Sequence, residues 1–154
     1  MDLISITSKE WVISLLIGFL SLSHPMRAEV SQALTFEKGY ALIGQELIRV
    51  EIAKTASEQR VGLAGRNQGS KNFFMAFILD EPQQVSFWMK NTKVNLSIAF
   101  INANGVVVEI SKLTANSIVP VTSKDKDIKY ALEVPIGFFK KNQIVVGSNF
   151  QIFH

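Results

Sequence analysis

The sequence contains no cysteine. Disulfides, thiolate metal sites, cysteine nucleophiles and lipid attachment through cysteine are therefore excluded. Histidine is nearly absent as well: His24 and His154 are the only two, and both lie toward the ends. The commonest general base and metal ligand thus has no interior candidate, and neither a metal nor a cofactor is expected. Charge of one sign is also scarce. Sixteen basic residues against thirteen acidic ones leave a net charge of +3. The lysines are scattered, with small groups at Lys124, Lys126 and Lys129 and at Lys140 and Lys141, and acids interrupt the first group. Nucleic-acid binders concentrate basic residues on one face beside aromatics, so no nucleic-acid partner is expected. Low-complexity tracts and internal repeats are missing too, which removes the usual signs of a linker or a solenoid.

What is present is apolar. Hydrophobic residues make up 47% of the 154, and the mean hydropathy is +0.21, which suits a compact globular chain. Residues 11–22, WVISLLIGFLSL, carry no charge. Twelve residues are too few for a membrane span, which needs about 20, and they match the apolar region of a secretory signal. Ser23, His24 and Pro25 break the run, and Ala28 or Ala33 offers a cut. Residues 1–28 are therefore expected to be a signal peptide or, uncut, an N-terminal membrane anchor. Residues 29–154 are then a single compact β-rich domain, exported to the periplasm or beyond, which touches the membrane only through that segment. Without disulfides its stability must come from core packing, and ten of the eleven phenylalanines follow the apolar run.

The pattern of that domain is mainly β. Residues 34–45 read as an approach segment or edge strand. In Leu47–Ala53, Ile48, Val50 and Ile52 alternate with Arg49 and Glu51, the period of a half-buried strand. Thr55-Ala56-Ser57-Glu58 is a capping box, which predicts a helix from Ala56 to Leu63 that Gly65 stops. A polar turn follows at 67–72. Phe73–Leu79 is an apolar strand that Asp80-Glu81-Pro82 breaks, and Val85–Met89 is a further apolar run. Asn102-Ala103-Asn104-Gly105 predicts a hairpin turn between strands Leu96–Ile101 and Val106–Ile110. Residues 111–127 read as a long loop. A strand over Ile128–Val134, a helical turn near Pro135–Phe139 and strands at Ile144–Val146 and Phe150–Phe153 complete the chain. Short strands at such spacing, with one or two short helices, predict a small antiparallel barrel or sandwich with a minor α component.

One junction stands out for chemistry. Phe87-Trp88-Met89 runs directly into Lys90-Asn91-Thr92, so apolar walls adjoin an ammonium, an amide and a hydroxyl, the ingredients of a small-ligand site. The plainer reading packs Phe87, Trp88 and Met89 into the core and makes Asn91-Thr92 a turn. Spacing alone favours that plainer reading. Paired acids at Asp80-Glu81 and Asp125-Asp127 are loop neighbours, and Lys124 and Lys126 flank the second pair. Ser123-Lys124-Asp125-Lys126 fits a serine-x-x-lysine nucleophile pattern, but no apolar helix is there to bury the lysine. Asn95-Leu96-Ser97 is a glycosylation sequon.

The stretches Val50-Glu51-Ile52-Ala53, Arg60-Val61-Gly62-Leu63 and Arg66, then Phe87-Trp88-Met89-Lys90-Asn91-Thr92, resemble the uncharacterised bacterial and archaeal family called domain of unknown function 192. Ile98-Ala99-Phe100-Ile101 with Gly105, Ala131-Leu132-Glu133-Val134 with Gly137, and Gly147 continue the resemblance in order, from about Ile48 to Ile152. It implies a compact, mostly β domain, often exported, with no established activity. The chain departs from the family pattern at Ala64, Phe74, Asn95 and Ser97. At Ser97 a carboxylate is lost, so no acid–base or metal role resting on it can operate here.

Arg60, Arg66 and Glu133 match family positions. As ligand groups, the arginines would clamp an anion, because a guanidinium matches carboxylate or phosphate with two parallel donors. As structural groups, one would pair with Glu51 or Glu133 and pin the helix to the sheet. Pinning is the expectation for Arg60, with Glu133 and Glu51 as its partners, while Arg66 is placed with the ligand-binding set of Trp88, Lys90, Asn91 and Thr92. The leading expectation is an exported module that binds a small polar or anionic ligand or serves as an envelope accessory; no catalytic residue and no protein partner is assigned. The alternatives are a hydrolase using Lys90 or a carboxylate such as Glu133, and a purely structural or protein-interaction module.

Overall fold

A computed structural model describes residues 34–66 and 73–154. The expectations for residues 1–28, the Ala33 cut and the polar turn at 67–72 lie outside the described residues. Nine strands and two short helices follow one another in the described chain: β1 (Glu37–Ile43), β2 (Glu46–Ala53), α1 (Ala56–Val61), β3 (Met75–Gln83), β4 (Ser86–Phe87), β5 (Leu96–Asn102), β6 (Val107–Leu113), β7 (Val121–Thr122), β8 (Ile128–Pro135), α2 (Phe138–Lys141) and β9 (Phe150–Phe153). Seven strands form one curled half-barrel sheet in the order β6-β5-β8-β3-β2-β1-β9, and β4 pairs with β7 as a separate ribbon. Among the described residues no helix is long and apolar enough to cross a membrane.

The mainly β class stands. All sheet pairs are antiparallel except β2 with β3, which run parallel at Glu51↔Met75, Ile52↔Ala76 and Ala53↔Phe77. Parallel neighbours require a crossover, and α1 supplies it. Thr55 caps α1 as its sequence predicts: the Glu58 N–H donates to Thr55 Oγ1 at 3.2 Å, and the Thr55 and Lys54 N–H groups donate to Glu58 Oε2 at 2.8 Å each. Those backbone donors hold the Glu58 carboxyl below the usual carboxylate range. The helix ends two residues earlier than expected, because Gly62 rather than Gly65 takes the C-cap, at φ +48°. The Gly62 N–H donates to the Glu58 carbonyl at 2.8 Å.

Alternation along the strands gives the sheet two apolar faces. Ile43, Val50, Ile52, Ala76, Ile101 and Leu132 lie on one, together with Phe139 of α2 and Phe150 of β9. Met75, Phe77, Leu96, Ile98, Phe100 and Ala131 lie on the other. The Ile48, Val50 and Ile52 stripe of β2 falls on the first face, as its period of two requires. Ala41 and Ile43 of β1 join that core, and β1 lies between β2 and β9, not at the edge.

The Asn102–Gly105 segment makes the β5–β6 turn. Asn102 Oδ1 accepts from the N–H groups of Asn104 and Val106 at 3.1 and 3.0 Å, and Gly105 sits at φ +72°. A Cβ on Gly105 would lie 2.6 Å from the Phe150 carbonyl oxygen. That closeness allows the Phe150 N–H to donate to the Gly105 carbonyl at 2.7 Å, and Val107 exchanges bonds with Ser148 and Gly147 at 2.9 and 2.8 Å. The two outer strands of the sheet thus meet at one corner.

Three expected elements change. β3 continues through Pro82 to Gln83, because the proline falls in the register shift between Ile78 and Gln83, where no ladder donor is needed. The expected loop at 111–127 holds the end of β6 and all of β7. Ile144–Val146 is not a strand: Ile144 anchors in the core, Val145 and Val146 are exposed, and the chain turns at Gly147 to reach β9.

Replacing the fully buried Phe100 by alanine should cost about 3–5 kcal/mol in urea unfolding. Thr55→Ala should cost about 1 kcal/mol through the lost cap.

Candidate functional site

The second apolar face is covered by α1 with the loop behind it and by the β4–β7 ribbon. Phe87 fastens the ribbon. Its ring meets Phe77 edge-on at 4.8 Å between centroids and Phe100 at 5.9 Å. Period-two alternation then turns Trp88 outward and Met89 inward, so Trp88 is 63% exposed while Met89 is buried. Ser123, which sequence reading weighed as a nucleophile, is buried in a structural role. Its Oγ accepts from the Val85 N–H at 3.1 Å and donates to the Asp125 carbonyl at 2.9 Å.

Beyond Met89 the chain turns tightly. The Thr92 N–H donates to the Met89 carbonyl at 3.0 Å, with Asn91 in the left-handed region at φ +60°, where asparagine is among the best-tolerated residues. The Asn91 carbonyl accepts from the Gly65 N–H at 3.0 Å, and the Thr92 carbonyl accepts from the Asn116 N–H at 2.9 Å. These bonds tie the tryptophan segment to the loop behind α1 on one side and to the 114–117 loop on the other. Asn95 steadies the same loop, its Oδ1 accepting from the Ala115 N–H at 2.9 Å.

Between these covers runs an open groove of about 760 Å³. Arg60, Trp88, Lys90, Asn91 and Thr92 line it, with Val85, Phe87 and Leu63 as apolar wall and Glu133 beneath. The sequence-predicted Trp88, Lys90, Asn91 and Thr92 therefore share one groove, although Thr92 is buried and presents little surface.

Arg66 does not join them. It pairs with Glu51, lies over the Phe36 ring at 5.0 Å, and borders a separate cavity of about 380 Å³ with Lys38 and Arg49. The expected structural pair is likewise redistributed. Arg60 makes no ion pair among the described residues and stands exposed on the groove, while Arg66 takes Glu51. Register explains the exchange. Glu51, Met75 and Glu133 are successive cross-strand partners, so the two carboxyls share a face two strands apart, roughly 10 Å. Arg60, in the last turn of α1, is exposed on the groove, whereas the chain leaving α1 carries Arg66 to Glu51.

Glu133 is 5% exposed. Burial pushes its carboxyl up to about 8, and the positive charge of Arg66 pulls it down only in part. No hydrogen bond reaches it among the described residues, while every fully sealed side-chain nitrogen or oxygen has a partner. The Glu133 oxygens therefore keep an opening, and it leads into the groove. Sequence reading treated Glu133 as a structural ion. The signal it missed was a lone acid in a strand apolar on both faces, Ala131-Leu132-Glu133-Val134, where only a neutral or tightly paired carboxyl is tolerated. Ser97, at the position of the lost family carboxylate, is buried on β5. Among the described residues no three acidic or histidine side chains are grouped to hold a metal.

Fold and groove together define a small half-barrel domain with one cationic, apolar-walled groove. The chain belongs to the family described as Uncharacterized ACR, domain of unknown function 192, whose model matches residues 40–152. It is similar in structure to a "putative transcription regulator" from Sinorhizobium meliloti 1021, at 25% identity and TM-score 0.72 over 78% of this chain and 97% of that one. It is also similar to a protein of unknown function from Novosphingobium aromaticivorans DSM 12444, at 24% identity and TM-score 0.67 over 79% and 89%. No curated protein matches the chain.

The raised carboxyl makes stability depend on pH. Below about pH 4.5 Glu133 is neutral in folded and unfolded chains alike. Between there and about pH 8 only the unfolded chain ionises, so stability is lost as pH rises through this window. Glu133→Gln removes the effect. Denaturation midpoints of wild type should fall relative to the variant from pH 5 to pH 8, and a constant gap would contradict the assignment.

Proposed function

We propose that the protein binds a small polar or anionic molecule in the Trp88 groove. The observation that carries this reading is the coincidence of an exposed indole, two cations and a free amide on one concave surface. Trp88 comes from the chain after β4, Arg60 from α1, and Lys90 and Asn91 from the following turn, and backbone bonds from Gly65 and Asn116 hold them together. An exposed indole gives a flat apolar contact that costs little side-chain entropy to order. Arg60 and Lys90 supply charge at the rim, and Glu133, held neutral by burial, does not cancel it.

The setting we propose is outside the cytosol. The uncharged apolar run at 11–22, followed by Pro25 and small residues, supports export, with the chain cut after Ala28 or Ala33 or held by an uncut anchor. An accessory role in the cell envelope suits a small binding module of this kind.

A thermal-shift series against sugars, carboxylates and phosphates tests the binding reading. At least one class should raise Tm, and Trp88→Ala or the Arg60→Ala, Lys90→Ala pair should weaken it about tenfold, near 1.4 kcal/mol. Since these side chains are exposed, the variants should unfold at nearly the wild-type temperature without ligand. A ligand response unchanged by Trp88→Ala would refute the groove. Export is checked by fractionating producing cells and sequencing the protein's N-terminus. A product starting near residue 29 or 34, or an intact membrane-held chain facing outward, agrees; intact protein in the cytosol does not.

A further inference from the structure

The groove carries one group that neither the fold nor the rim requires. Glu133 is buried between Met75 of β3 and Ile98 of β5, its cross-strand neighbours, and both are apolar. The charge that acts on it is that of Arg66, from the segment after α1; Arg60 and Lys90 line the same groove, and Glu51 lies two strands away, already paired with Arg66. A buried carboxyl with no hydrogen-bond partner is costly when ionised, and even when neutral it leaves a donor unused. Glu133 lines the groove.

We propose that the groove takes an organic acid, with one carboxylate oxygen accepting the Glu133 hydrogen, its charge facing Arg60 and Lys90, and its apolar body lying against Trp88 and Val85. This rests on the groove reading above and deepens it to a ligand class. Each part answers an observation. The unused donor calls for an acceptor, the two cations call for negative charge, and the exposed indole with the aliphatic wall calls for an apolar body. A carboxylic acid facing a carboxylate shares one proton between them, a short charge-assisted hydrogen bond. Inorganic phosphate would meet the charge but leave the wall uncovered, and a neutral sugar would leave both cations unmatched.

The arrangement couples binding to proton uptake. Burial leaves the Glu133 carboxyl protonated up to about pH 8. Above that pH an ionised Glu133 must recapture a proton before an anion can approach. The test is calorimetry on the full chain, with benzoate as probe, in buffers of different ionisation enthalpy. Near pH 6.5 almost no proton should be taken up, whereas near pH 9 the count should approach one per benzoate. Affinity should drop about tenfold between pH 7 and pH 9, from one linked proton titrating near 8. Glu133→Gln, which keeps a donor but cannot titrate, should bind at both pH values with no uptake. Benzoate binding at pH 9 without uptake overturns the proposal, and the wild-type count decides this even if the variant does not fold. If inorganic phosphate or glucose binds and benzoate does not, the organic-acid class falls while the groove stands. If none of the three binds, both readings fall.

Discussion

Both faces of the seven-stranded sheet are apolar, so neither can be left to water. The first is covered by the curl of the sheet, by α2 and by β9, whose Phe139 and Phe150 complete that core. The second has no such partner and must be covered by the segments between strands. The crossover through α1 and the β4–β7 ribbon do this from opposite sides, the ribbon held down by Phe87 on Phe77 and Phe100. Two short covers meeting over one face leave a trough between them, and the groove is that trough. The packing constraint that builds the core therefore builds the concavity as well.

The same arrangement sets the electrostatics. Glu51 and Glu133 fall in one cross-strand row because register places Met75 between them. Arg66 reaches the row, neutralises Glu51 directly and acts on Glu133 only through space. One carboxyl is thus paired at the margin, while burial forces the other toward its neutral form deeper in. Arg60, with no ion pair among the described residues, is left to the rim. Direct pairing with Arg66 and depth of burial thus set the two acids apart.

Features decided within a few residues were legible in the sequence. The Thr55–Glu58 cap, the alternation of β2 and the Asn102–Gly105 turn depend on neighbours four residues apart or closer, and each formed where its pattern stood. The crossover was not legible, because a six-residue helix is a weak signal for a parallel connection. The continuation of β3 through Pro82 was hidden by the register shift that excuses it. At the site, Trp88, Lys90 and Asn91 announced themselves by their abrupt change of polarity. The roles of Arg60 and Arg66 were exchanged, since only the path of the chain after Gly62 decides which guanidinium meets Glu51. Glu133 needed knowledge of both faces of β8, which no local window contains.

The corner where Gly105 lies against Phe150 has a bearing on how the molecule keeps to itself. Open sheets end in ribbons of unsatisfied amides and carbonyls that invite a neighbour's strand. Here the first and last strands of the sheet spend part of that capacity on each other, across Gly105, Val107, Ser148 and Phe150. Any side chain at position 105 would collide with the Phe150 carbonyl and force the seam apart. A hydrogen atom in place of a methyl group at one turn thus helps keep a sheet with no disulfide to brace it from being extended by another copy of itself.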